Sequence, residues 1–156
     1  MATNKDVSEF FKKPTKKKLI VVTHKLFFDG GSRGNPGPGG SGYALFDGDI
    51  EIGSGAFPMG VCTNNEAEYM GVIKGLELAL QMGISNISVY GDSLLVINQI
   101  QGLWRCKAKN LLPYLTQARN LVRKFSRITL QHVPREQNKR ADELSNDAMD
   151  QVELNR

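Results

Sequence analysis

The spacing of apolar residues changes character along this chain. From Leu19 to Phe28, β-branched and aromatic residues crowd together and predict a first strand ending near Asp29. Gly30–Gly42 is rich in glycine and proline and reads as a long turn. Residues 43–47 and 50–57 read as two more strands, separated by the tight-turn signal Asp47-Gly48-Asp49, so an antiparallel meander is expected. From about Asn64 to Met82 the period becomes helical, with Tyr69, Val72, Ile73, Leu76, Ala79 and Leu80 on one side. Thr63 or Asn64 can cap this helix and Gly83 can stop it, while Gly71 and Gly75 would let it approach a sheet closely. Asn86–Tyr90 reads as a short buried strand, and Ser93 as the cap of a helix through about Ile100. A further helical segment spans about Ala108 to Phe125, with Leu111, Leu115, Ala118 and Val122 on one face. Pro113 fits only its first turn or forces a late start. Ile128–Val133 reads as a fifth strand and Asn138–Val152 as a last helix. The order β-β-β-α-β-α-α-β-α predicts an α/β fold: one five-stranded mixed sheet with helices on both faces. Its last strands run parallel to the first, joined by helical crossovers.

Composition narrows the class. The chain has 156 residues, 40% hydrophobic and 23% charged, as expected for one globular domain. No apolar run approaches the ~20 residues of a membrane span, and no apolar segment near the start suggests a secretory signal. An intracellular setting, cytoplasmic or nuclear, is the expectation. Cys62 and Cys106 form no close-spaced motif and read as free thiols.

The net charge of +4 is uneven. Residues 1–18 hold six lysines against Asp6 and Glu9, and residues 19–156 hold equal numbers of basic and acidic groups. A disordered lysine-rich tail (1–18), a folded domain (19–152) and a short C-terminal tail (153–156) are therefore expected. The run Lys12-Lys13-Pro14-Thr15-Lys16-Lys17-Lys18 can serve as a nuclear address or a phosphate-binding arm; a solubilising tail explains it equally well.

Four acids stand in distinctive settings: Asp29, Glu68, Asp92 and Asp142. Two of them, Asp29 and Asp92, end apolar strand-like runs, where a carboxylate has little structural reason to be. Each alone has an ordinary explanation, such as a turn, a helix N-terminus, an Asx-turn or a solvated helix charge. Gathered together they would repel, unless a cation sits between them. Divalent metal held by carboxylates suggests phosphate chemistry.

The motifs Asp29-Gly-Gly-Ser-Arg-Gly-Asn-Pro-Gly-Pro-Gly-Gly, Thr63-Asn-Asn-x-x-Glu68, Gly-Asp92-Ser and Asn138-x-x-Ala-Asp142-x-Leu, in that order, resemble the type 1 ribonuclease H family, which includes the nuclease domain of reverse transcriptases. The resemblance covers about Lys25 to Met149. It implies a ribonuclease H-like fold and two-metal hydrolysis of the RNA strand of RNA–DNA hybrids, giving 5′-phosphate and 3′-hydroxyl ends. It implies two Mg²⁺ ions, for which Mn²⁺ can substitute. Asp29 would bridge both ions, Asp142 would help hold the ion on the nucleophile side, and Glu68 and Asp92 the ion on the leaving-group side. Ser32, Gly34, Asn35, Asn64 and Asn65 match positions that touch the hybrid, and Thr63 with Asn65 resembles part of a pocket for a DNA-strand phosphate.

Two departures stand out. Many members carry a mobile His in the loop before the last Asp, thought to help proton traffic or product release; here the loop is Val133-Pro134-Arg135-Glu136-Gln137-Asn138, with Glu136 at that place as a candidate catalytic carboxylate that could do similar work near the nucleophile-side metal, and His132 read as structural. Some relatives insert a basic, tryptophan-rich protrusion near Gln101–Asn110; this chain keeps only Trp104, Arg105, Lys107 and Lys109, and Trp104 suits core packing and DNA stacking equally. The expected partner is an RNA–DNA hybrid, bound by a monomer without membrane attachment. Two alternatives stay open: a catalytically weak binding module of the same fold, and a nuclease that also cuts RNA duplexes.

Overall fold

The computed structural model describes residues 20–155. The lysine-rich tail expected at 1–18 lies outside the described residues. Elements follow the expected order: β1 (His24–Ser32), β2 (Gly37–Asp47), β3 (Ile50–Cys62), α1 (Asn64–Gln81), β4 (Asn86–Gly91), α2 (Leu94–Gln101), α3 (Leu112–Val122), β5 (Arg127–His132) and α4 (Lys139–Leu154). A 3₁₀ turn at Arg135–Gln137 precedes α4. They form one sheet ordered β3-β2-β1-β4-β5. The first three strands are antiparallel, and β4 runs parallel to both β1 and β5.

Several boundaries differ from the sequence reading. Strand β1, expected within Leu19–Phe28 and ending near Asp29, runs from His24 to Ser32, where it pairs with β2 from Asp47 to Gly39. The long glycine turn shrinks to Arg33–Pro36; Gly37–Gly42 belongs to β2. Two of its glycines, Gly40 and Gly42, are flat ground for a helix. A β-carbon at Gly42 would lie 2.3 Å from the Ala141 carbonyl oxygen and 2.5 Å from the Ser145 amide, so α4 rests on the β2 backbone itself. Helix α3 takes the late start, with Pro113 in its first turn, where a missing N–H costs nothing. Helix α4 continues to Leu154, so part of the expected C-terminal tail is helical.

Helices cover both faces. Neighbouring strand residues point oppositely: Ser41 Oγ donates to the Ala67 carbonyl of α1 at 2.6 Å, whereas Gly40 and Gly42 meet α4. The main core lies under α1, α2 and α3, where Leu26, Phe28, Leu45, Ile73, Leu76, Ile87, Val89, Ile100 and Ile128 are buried. At roughly 1.5–3 kcal/mol for each large apolar side chain removed from water, this face supplies most of the folding drive. Inside it, the Tyr69 hydroxyl donates to Gln99 Oε1 at 2.5 Å, so the two polar groups satisfy each other. Both cysteines are free thiols, with Cys62 buried. Among the described residues no helix is long and apolar enough to cross a membrane.

Candidate active site

The site forms where the two central parallel strands end. Asp29 lies on β1 and Asp92 just beyond β4, its neighbour in the sheet. Glu68 stands on the second turn of α1. Thr63 begins that helix with a capping box: its hydroxyl accepts from the Glu66 amide at 3.2 Å, and Glu66 Oε1 accepts from the Thr63 amide at 2.8 Å. Helix α1 then crosses β1 almost in backbone contact. A β-carbon on Gly30 would fall 2.2 Å from the Ala67 carbonyl carbon, and one on Gly71 would fall 2.6 Å from the Asp29 carbonyl oxygen. This approach, anticipated from Gly71, carries Glu68 over Asp29.

One carboxylate oxygen from each of Asp29, Glu68 and Asp92 lies within 4.8 Å of the others. Asp142, on the first turn of α4, lines the same cleft of about 280 Å³, together with Gly30, Gly31, Asn64, Arg135, Ser145, Asn146 and Met149. Asn138, at the N-terminal boundary of α4, ties it to β1 by donating through Nδ2 to the Phe28 carbonyl at 2.8 Å. Ser145 Oγ lies 3.4 Å from Asp29 Oδ2.

The cluster is electrostatically uncomfortable. Burial, then the Asp92 charge and the Asp142 side chain, lift Asp29 from an ordinary 3.8 to about 7. Burial and the charges of Asp29 and Asp92 push Glu68 well above the usual carboxylate range. Burial also raises Asp92, with the Arg135 charge acting against it. Glu68 Oε1 is shut away from solvent with no hydrogen-bond partner. Ionising a carboxylate with such an unmatched buried oxygen is costly, and a divalent cation among the three acids would offset both the desolvation and the repulsion. The donor set is all oxygen, which suits Mg²⁺ or Mn²⁺.

The remaining expected residues sort into three groups. Ser32, Asn35 and Asn64 are joined: Asn64 Oδ1 accepts from the Ser32 amide at 2.8 Å and Asn35 Oδ1 from the Asn64 amide at 2.9 Å. This locks the Arg33–Pro36 turn, with exposed Gly34, against the N-terminus of α1. Thr63 and half-buried Asn65 flank that same helix end. Glu136 stands apart. It is exposed on the 3₁₀ turn and does not line the cleft; its neighbour Arg135 does, with Nη2 3.7 Å from Asp142 Oδ1. At three residues per turn, consecutive side chains diverge by about 120°, so one of the two faces the acids and the next is carried away. His132 is exposed, and so is Trp104 with 46% of its surface accessible, which decides against core packing for that indole.

Sequence reasoning missed Arg135, Ser145 and Asn146. The last two follow Asp142 by three and four residues, the spacing that shares one helix face, and that signal was readable. Arg135 gave no comparable sign.

A β3-β2-β1-β4-β5 sheet with acids at the ends of its central strands, between α1 and α4, is the ribonuclease H-like fold. A family profile described as reverse transcriptase-like matches residues 27–148. The bifunctional protein Rv2228c of Mycobacterium tuberculosis is 44% identical over 124 residues, which are 78% of this chain and 34% of that protein. Ribonuclease HI of Halobacterium salinarum is 43% identical over 125 residues, 80% of this chain and 63% of that protein. The chain thus spans only part of the length of these relatives. Among solved structures, the N-terminal ribonuclease H domain of Rv2228c matches with a TM-score of 0.83 at 41% identity, covering 86% of this chain and 99% of that one. LC11-RNase H1, solved in complex with an RNA/DNA hybrid, matches with a TM-score of 0.77 at 34% identity, covering 83% and 98%. The chain belongs to the type 1 ribonuclease H family.

Proposed function

We propose that this protein is a metal-dependent endonuclease that hydrolyses the RNA strand of RNA–DNA hybrids, leaving 5′-phosphate and 3′-hydroxyl ends. The observation that carries this reading is the convergence of Asp29, Glu68 and Asp92 within 4.8 Å, with a solvent-excluded, unpartnered oxygen on Glu68 and Asp142 lining the same cleft. Asp29, Glu68, Asp92 and Asp142 would hold two divalent ions, with Asp29 shared, Asp142 on the nucleophile side, and Glu68 and Asp92 on the leaving-group side. When bound, such ions make an attacking water acidic enough to react near neutral pH and offset charge on the departing 3′ oxygen.

The protein's own groups bind and orient. A hybrid presents a shallow minor groove lined on one strand by 2′-hydroxyls. The tied trio of Ser32, Asn35 and Asn64, with the bare backbone of Gly34, offers short polar groups suited to that groove. Thr63 Oγ1 already accepts from the Glu66 amide, so its own proton is left to donate to a DNA-strand phosphate. Asn65 and the positive end of α1 would add to that site. Arg135 lines the cleft and Glu136 does not, so Arg135 would meet a phosphodiester entering it. Exposed Trp104, Arg105, Lys107 and Lys109 extend a surface on which the DNA strand could rest.

A catalytically weak binding module of this fold has no need of four convergent carboxylates whose mutual repulsion lowers stability. The decisive assay offers end-labelled hybrid, RNA duplex and DNA duplex with Mg²⁺, Mn²⁺ or chelator. Cleavage of the hybrid's RNA strand in metal and none in chelator is expected. A folded protein that leaves hybrid intact with both metals would refute the reading.

A further inference from the structure

The Arg33–Pro36 turn contains one cation, Arg33, and its guanidinium reaches across to α4. Arg33 Nη1 donates to Asp150 Oδ1 at 2.6 Å and to Glu153 Oε1 at 2.5 Å, and Nη2 donates to Asn146 Oδ1 at 3.2 Å. These three partners stand four and three residues apart on α4 and so share one face. Asn146 continues the chain. Its Nδ2 donates to the Asp142 carbonyl at 2.9 Å and reaches Asp142 Oδ1 at 3.4 Å.

The chemistry of this chain has a direction. A guanidinium has donors and no acceptor, so it takes the oxygen of the Asn146 amide. The NH₂ group is then left facing Asp142. Without Arg33 the amide oxygen loses its donor and the Asn146 side chain its tether, so the NH₂ group is held against Asp142 less firmly. The geometry points to Arg33 as a positioning residue: through Asn146 it orients the Asp142 carboxylate for the metal cluster, and so couples the turn that faces the substrate to the acid that completes the site. This inference rests on the metal-dependent nuclease reading. The competing role is simpler, with Arg33 merely pinning the turn to α4 through Asp150 and Glu153.

Mn²⁺ binding to the full chain without nucleic acid, measured by titration calorimetry, separates the two. Arg33→Met and Asn146→Ala should each weaken Mn²⁺ binding, by about tenfold, as is typical when a group that orients a metal ligand is lost. The double variant should be no weaker than either single one. Asp150→Asn combined with Glu153→Gln, which removes the ion pairs and spares the amide, should stay within about twofold of wild type. Should Arg33→Met prove unstable, Asn146→Ala, which keeps both ion pairs, must still show the loss. Unchanged affinity in Asn146→Ala, or an Arg33→Met effect that persists undiminished in the Asn146→Ala background, overturns the inference. A wild-type protein that cleaves hybrid while these variants bind Mn²⁺ normally sinks this inference alone. A wild type that neither binds Mn²⁺ nor cleaves sinks the nuclease reading with it.

Discussion

Asp29→Asn separates what the cluster does for catalysis from what it costs in stability. Asp29 is only 7% exposed, and burial together with the Asp92 charge raises its pKa from 3.8 to about 7. One pKa unit corresponds to ~1.4 kcal/mol, so ionising Asp29 in the folded, metal-free protein is opposed by up to ~4 kcal/mol relative to the unfolded chain. Part of that penalty is shared with Asp92 and Asp142, so about 2 kcal/mol is the reasonable gain for an uncharged isostere. The sign follows from proton binding. Between pH 3.8 and about 7 the folded chain holds a proton here that the unfolded chain has released, so wild-type stability falls as pH rises through this window. Asparagine has no such dependence. Thermal unfolding in chelator should therefore show Asp29→Asn equal to wild type near pH 4 and more stable by about 4–8 °C at pH 8. Mg²⁺ should narrow the gap at pH 8, because it binds the folded wild type more tightly. Hybrid cleavage should be lost throughout. An Asp29→Asn protein that melts no higher than wild type at pH 8 in chelator, or that still cuts hybrid at a comparable rate, would refute the reasoning.

Other consequences are equally direct. Arg135→Ala should lower hybrid cleavage about tenfold or more, whereas Glu136→Ala should change it less than about twofold; steady-state rates on one labelled hybrid decide, and the reverse ranking would restore Glu136 to the site. Deleting residues 1–18 removes six lysines, so hybrid affinity should drop and its slope against log salt should flatten; binding measured across a salt series tests whether the tail touches substrate. Gly42→Ala places a methyl 2.3 Å from the Ala141 carbonyl oxygen. Displacing α4 should cost about 1–3 kcal/mol by denaturant unfolding and reduce cleavage below wild type even where the variant is fully folded, since Asp142 moves with the helix.

Local chemistry determined much of this protein. Apolar spacing placed every strand and helix in order, Thr63, Ser93 and Gly83 marked helix ends, and Gly71 announced a close approach to the sheet. The identities of the four acids could be read because carboxylates at the ends of apolar runs are costly wherever they occur. Other features belong to pairs of residues far apart in the chain. Gly40 and Gly42 read as part of a turn by composition, yet they lie in a strand onto which α4, a hundred residues later, packs too closely for any side chain between them. Arg135 and Glu136 are equivalent as neighbours in a sequence, and only the phase of the 3₁₀ turn against the sheet end turns one toward the acids. Arg33 reads as a charge in a loop until α4 brings Asn146, Asp150 and Glu153 beneath it. Periodicity and capping act over a few residues and are visible in order, whereas register, facing and charge pairing depend on distances that exist only once the chain has closed on itself.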